Sequence, residues 1–464
     1  MSLHRLTLAL LVAFALIGCA PPAPGVPTTA TPIAELPTAA PTQPPPATAV
    51  PTQPPPTTAP ATPTPAPATA VPTAVPAQTP VDTATLRPTP ASSELLFLRG
   101  GDLMAFEVAT GKLRPLAPGV RDFAAGRDGA TIALLRGAGV QSEVWTVRRD
   151  GSALTQVTHN SRAEASLAWA PDGAALAFSS SSSATPYARE WLAWSAWCVA
   201  SEVHVLTLAD QTETKLADGC DPAISPDGRR IAYAAPPTAP EAAADSSRRV
   251  VANSIRLINR QGQNGWDFAK AAGADAPAPN TGRLVYAPAW SPDGAQIVYQ
   301  RFLGYQALVD LDISQIADSF KGGGEIVADG AGWLLPARFA PGGKTLAITE
   351  NNYSDARGFG GYDNWSVSVI RLEGTREIAL PSGTFIAIGQ RVDQLPRGQA
   401  VAWSPDGQTL AVELPPGWRP DLPANEPLGI EEQPGELWLW TPGQPPTKKL
   451  VDGVDFASPL AWLP

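Results

Sequence analysis

The stretch PAWSPDGAQIVYQR, residues 288–301, decides how the chain is read. A short apolar run enters Ser291-Pro292-Asp293-Gly294, and an alternating strand leaves it. Pro presets φ for a turn, Asp bonds its own backbone, and Gly accepts the left-handed conformation that closes a hairpin. The same phrase returns as LAWAPDGAALAFSS from Leu167, PAISPDGRRIAYAA from Pro222, ARFAPGGKTLAITE from Ala337 and VAWSPDGQTLAVEL from Val401. A weaker copy, DFAAGRDGATIALLR, starts at Asp122. The turn glycines Gly129, Gly173, Gly228, Gly294, Gly343 and Gly407 are 44, 55, 66, 49 and 64 residues apart. Uneven periods of roughly 40–60 residues with strand content point to propeller blades carrying loops of variable length.

A second strand pair follows each hairpin, as in EVWTVRRDGSALTQVT from Glu143, EVHVLTLADQTETKLA from Glu202 and ELWLWTPGQPPTKKLV from Glu436. Each unit therefore has four antiparallel strands. The grammar of SPDG, an alternating strand, then a [VL]-W-x-[VL]-type strand and a short turn resembles the TolB-like (WD-type, PD40) β-propeller repeat. The resemblance spans essentially 94–464 and implies an all-β propeller, while saying little about function. Blade 6 departs from it with Pro341-Gly342-Gly343, and blade 2 lacks the proline.

Six phrases open six blades. The segment from Glu94 supplies three more strands with no opening phrase, and the chain ends in Pro459-Leu460-Ala461-Trp462-Leu463-Pro464, the phrase cut at its proline. The expected fold is thus a seven-bladed propeller in which the C-terminal strand completes the first blade and removes the free sheet edges. Trp169, Trp290, Trp403 and Trp462 are expected in the core, and the turn aspartates Asp172, Asp227, Asp293 and Asp406 in turn hydrogen bonds.

The domain plan is 1–18 leader, 19–92 tether and 93–464 propeller. His4 and Arg5 precede an apolar run from Leu6 to Ile17, too short to span ~30 Å of hydrocarbon as an anchor. The run ends in Leu16-Ile17-Gly18-Cys19, which resembles the bacterial lipoprotein signal and implies Cys19 as lipid-attachment site and mature N-terminus. Between positions 21 and 90 lie 23 of the 52 prolines, with 17 Thr. Such a segment forms an extended spacer of ~3.1 Å per residue, on the order of 200 Å when drawn out. The expected location is the extracytoplasmic side of a membrane, held by lipid alone.

Charge excludes one class of partner. The net charge is −10 with 16% charged residues, and phosphate backbones need clustered positive charge, so no nucleic-acid partner is expected. The mature chain keeps His159 and His204, and no H-E-x-x-H, G-x-S-x-G, Walker loop or metal-spaced Cys pair occurs. No cofactor and no metal site are expected. Cys198 and Cys220 suit a disulfide in an oxidising compartment, two buried thiols being the alternative.

First-to-second and third-to-fourth connections are expected to be short throughout, with insertions at 181–201, 236–253, 263–286, 351–364, 384–399 and 415–435 gathered on the opposite face. Loops on one face of a rigid scaffold commonly carry binding. Trp191, Trp194 and Trp197 recur every third residue there, either as an aromatic platform or packed onto the propeller. Tyr353, Asp355, Tyr362 and Asp363 combine rings and carboxylates suited to sugars, or form a glycine-rich loop without ligand. Trp266 and Trp418 carry the same two readings. The reading that follows is a monomeric, non-catalytic propeller binding a protein or glycan. The alternatives are a carbohydrate-active or lactonase-type enzyme with carboxylates at the channel mouth, and a TolB-like envelope scaffold.

Overall fold

The computed structural model describes residues 93–182, 191–236, 252–270, 284–302, 308–316, 325–331, 335–351, 365–380, 383–423 and 433–464. The leader, the tether and Cys19 lie outside the described residues. The chain forms seven four-stranded antiparallel blades arranged as a propeller. Blade 3 is representative, with Ala163–Trp169 innermost, then Ala175–Ser181, Ser201–Thr207 and Thr212–Asp218. Among the described residues there is one α-helix, Trp191–Val199, and it is too short to cross a membrane.

Closure follows the expectation. Ala461–Leu463 pairs with Glu94–Arg99 in the register Glu94↔Leu463, Leu95↔Trp462 and Leu96↔Ala461. Polar contacts lock the seam. Asp455 accepts the Gly100 and Gly101 N–H groups at 2.6 and 2.7 Å, Ser458 Oγ accepts Leu98 N–H at 2.8 Å, and Trp462 Nε1 donates to Ser93 Oγ at 2.6 Å.

The repeated phrase builds the contacts between blades. Trp169, Trp290 and Trp403 each donate their indole N–H to a backbone carbonyl of the preceding blade, at Ala124, Ala223 and Arg338, over 2.8, 2.9 and 3.0 Å. The turn glycines all have φ between +65° and +73°. A β-carbon on Gly228, Gly294, Gly343 or Gly407 would meet the preceding blade's turn proline at 3.5, 3.6, 3.5 and 3.2 Å. One on Gly173 would meet nothing, because blade 2 places Arg127 where that proline belongs. Turn aspartates bond within their turns: Asp293 Oδ1 accepts Ser291 Oγ–H at 2.6 Å and Ala295 N–H at 3.0 Å, and Asp227 and Asp406 repeat the pattern. These contacts hold their pKa values below the usual carboxylate range.

Blade 6 differs from expectation. Its third-to-fourth connection is not short, and 384–399 is not an insertion on the opposite face. Instead Trp365–Leu380 runs through Leu372-Glu373-Gly374 and pairs with Gly383–Pro396 as one long hairpin, with a register shift between Arg371 and Thr375. A strand can absorb extra residues as a bulge and continue, which is what Gly374 at φ +85° allows. The arm also meets the outer strand of blade 5 through the parallel pair Ile326↔Ala387, merging two blades into one eight-stranded sheet.

Candidate functional site

Most long connections leave one end of the ring. Second-to-third connections join Ser181 to Ser201, Ala235 to Ser254, Asn351 to Trp365 and Leu414 to Gly435. The link from blade 4 to blade 5 runs from Lys270 to Leu284 at the same end. Confinement to that end is incomplete. The blade 6 arm and the connection from Gln315 to Glu325 are third-to-fourth connections and leave the other end. Trp266 is likewise no insertion residue, since it begins the outer strand Trp266–Lys270, under the Arg230 guanidinium. Trp418 packs edge-on against Trp438 at 5.1 Å between ring centroids. Tyr353, Asp355, Tyr362 and Asp363 fall outside the described residues.

Trp194 and Trp197 do not form an exposed aromatic platform. Trp191 begins the helix, and Trp194 and Trp197 are wholly buried, with relative exposures of 0%. Spacing of three and four residues puts Trp194, Trp197 and Cys198 on one side of the helix, and that side faces the propeller. Trp194 lies 5.0 Å from the Tyr286 ring of blade 5. The sulfurs of Cys198 and Cys220 are 2.05 Å apart, joining the helix to the inner strand of blade 4.

Beside that junction the inner strands of blades 3, 4 and 5 carry bulges at one equivalent position, between Ala165 and Ala168, Cys220 and Ala223, and Tyr286 and Ala289. Ser166, Asp221 and Ala287 sit there at φ +58°, +51° and +49°, a conformation costly for non-glycine residues. Asp221 ties the three blades together. It accepts Ser166 Oγ–H at 2.8 Å, and the Ala287 N–H and the Trp194 side chain face the same carboxyl. Burial raises its pKa, and these donors oppose the rise. Nothing in the repeat phrase distinguished Asp221, which sequence reasoning missed.

The inner strands enclose a central channel of about 570 Å³. Its wall mixes polar and apolar surface in nearly equal parts, the apolar part including Leu167, Trp169, Pro222, Pro288, Trp290 and Leu460. Charged residues among the lining are Asp122 of blade 2, Asp221 of blade 4 and Arg338 of blade 6. Arg338 is exposed to the lumen; the surrounding protein lowers its pKa by desolvation, while the charge of Asp122 raises it. Sequence reasoning missed Arg338, although the repeat carried the signal. The equivalent positions in the other six blades are Ala124, Ala168, Ala223, Ala289, Ala402 and Ala461.

Between blades 2 and 3 lies a carboxyl cluster. Thr158 Oγ1 accepts Val144 N–H at 2.8 Å and is 2.8 Å from both Glu143 Oε2 and Glu164 Oε2. Asn160 Nδ2 bridges Glu164 at 2.8 Å and Glu213 at 3.2 Å. His204 stands with Nδ1 2.7 Å from Glu213 and Nε2 3.1 Å from Glu202, whose carboxylate also meets Arg162 and Lys215 at 2.8 and 2.7 Å. Threonine has one hydroxyl proton. If it bonds both carboxyls, one of them supplies a proton. Burial does push Glu164 up to about 8. Among the described residues no group of three or more His, Cys, Asp or Glu side chains is arranged to hold a metal.

No family model and no curated protein matches the chain. Solved structures do. TolB from Acinetobacter baumannii is 14% identical with a TM-score of 0.39, over 80% of this chain and 83% of that one. The Cps50 (Swd1) β-propeller domain of Myceliophteria thermophila is 12% identical with a TM-score of 0.45, over 71% and 85%. Oligogalacturonate lyase from Vibrio parahaemolyticus is 10% identical with a TM-score of 0.46, over 68% and 80%.

Proposed function

We propose that this protein is a lipid-anchored, extracytoplasmic β-propeller that binds a protein or glycan partner through its long-loop end, without catalysing a reaction. The observation that carries this reading is the asymmetry of the ring. One end is mostly closed by Asx-type turns packed blade against blade, and the other carries four long second-to-third connections and a long blade link. A rigid scaffold that varies at one end presents that end to a ligand. The LIGC sequence ending at Cys19 and the Pro/Thr-rich stretch before the first strand supply the anchor and the reach.

Two measurements test it. Cys19→Ser is expected to move the protein from the membrane fraction to the medium or periplasmic extract, and retention in the membrane overturns the lipid anchor. Full-length protein is then used in a pull-down and on a glycan array. Tyr353→Ala with Tyr362→Ala is expected to abolish capture with the melting temperature nearly unchanged. Undiminished capture by the double variant removes those residues from the site.

A further inference from the structure

We propose that the central channel binds a small carboxylate with an apolar body, and that Arg338 receives the carboxylate group. The inference stands apart from the loop-end reading and rests on the channel alone. Six of seven blades place alanine at this repeat position, and Ala124, Ala168, Ala223, Ala289 and Ala461 line the lumen there. Blade 6 places a guanidinium in the same ring of methyl groups. Its backbone is fixed in the way of its counterparts, since the Arg338 carbonyl accepts the Trp403 indole as those of Ala124 and Ala223 accept Trp169 and Trp290. The fold therefore keeps the blade geometry and adds a charge.

That charge has no ion-pair or hydrogen-bond partner for its side chain among the described residues. Asp122, on blade 2, raises the Arg338 pKa through its charge. It accepts the Phe123 N–H at 2.8 Å. A guanidinium open to a confined lumen and without a protein partner can take an anion there, and its planar fork matches a carboxylate in two parallel hydrogen bonds. A cavity of about 570 Å³ falls within the range of small-molecule sites. Trp169, Trp290, Pro222 and Pro288 supply the apolar part of the wall for the remainder of the ligand, and the Asp122 and Asp221 carboxyls on the same lumen disfavour ligands with a second negative charge.

The test uses the full chain with three probes: benzoate, benzyl alcohol and inorganic phosphate. Binding is read by saturation-transfer NMR and calorimetric titration. Benzoate is expected to bind, with benzyl alcohol and phosphate each at least about tenfold weaker, because one lacks the charge and the other the apolar body. Arg338→Gln is expected to weaken benzoate at least about tenfold, and Arg338→Lys, which keeps the charge and loses the fork, by less. Asp122→Asn is expected to leave affinity equal or tighter. The proposal falls if benzoate does not bind, if either control probe matches it, or if Arg338→Gln keeps wild-type affinity. Should Arg338→Gln misfold, Arg338→Lys decides. Weakening with an unchanged melting temperature supports the site, and unchanged affinity overturns it.

Discussion

Glu164 is only 2% exposed, beside Glu143 and Glu213, and its folded-state pKa is raised from 4.5 to about 8. Desolvation is the main cause, Thr158 and Asn160 oppose it, and the neighbouring carboxylates add to it. Between those two values the folded chain holds a proton that the unfolded chain has released. Stability from this group is therefore complete below about pH 4.5, declines as pH rises toward 8, and changes no further above it. The slope approaches about 1.4 kcal/mol per pH unit for one fully coupled proton. Urea unfolding at pH 5, 6, 7, 8 and 9 is expected to show this decline in the wild type and a flatter profile in Glu164→Gln. Parallel profiles would show that Glu164 carries no such proton. Residue roles were unevenly legible. The turn aspartates were readable because Asp-Gly after proline dictates its own hydrogen bonds. Glu164, Asp221 and Arg338 depend on which blades stand side by side, and local pattern does not encode that. The tryptophan spacing left two readings open for the same reason, because spacing of three gives one helix face without saying which way that face points.

At the scale of elements, the indole latch joins consecutive inner strands. Trp290→Phe keeps most of the ring and removes the N–H that meets the Ala223 carbonyl. Losing one partner of a part-buried hydrogen bond costs about 1–2 kcal/mol. Chemical denaturation is expected to show a loss of that size in Trp290→Phe, and the same change at Trp169 a similar one. A cost near zero would mean that the rings act by apolar packing alone. The hairpins themselves were legible, since each phrase specifies its turn residues and its strand alternation together. The blade 6 arm was not. Leu372-Glu373-Gly374 has turn composition, but Thr375–Leu380 finds a ladder partner in Gly383–Ile388, and pairing prevails over the local turn preference.

At the scale of the whole molecule, blade 1 is assembled from both chain ends, so the ring is closed by three ladder pairs and a handful of polar bonds. Leu463 is 3% exposed and packs with Leu96, Leu98 and Ile132, so the terminal strand also bridges the seam between blades 1 and 2. Arg149 reaches the Pro464 carbonyl at 3.0 Å while its Nε holds Glu94 at 2.6 Å, tying blade 2 to both partners of the closing pair. Removing residues 459–464 would leave Leu95 and Leu96 facing solvent along an unpaired edge, the arrangement that recruits strands from other chains. The truncated protein is expected to lose cooperativity in thermal unfolding and to elute as oligomers, with the other six blades retaining most of the β-sheet circular dichroism. Leu463→Asp keeps the backbone pairing and removes only the apolar bridge, so its effect is expected to be intermediate. A truncated chain that stays monodisperse and melts as the wild type does would mean that neighbouring blades hold the ring shut without the terminal strand.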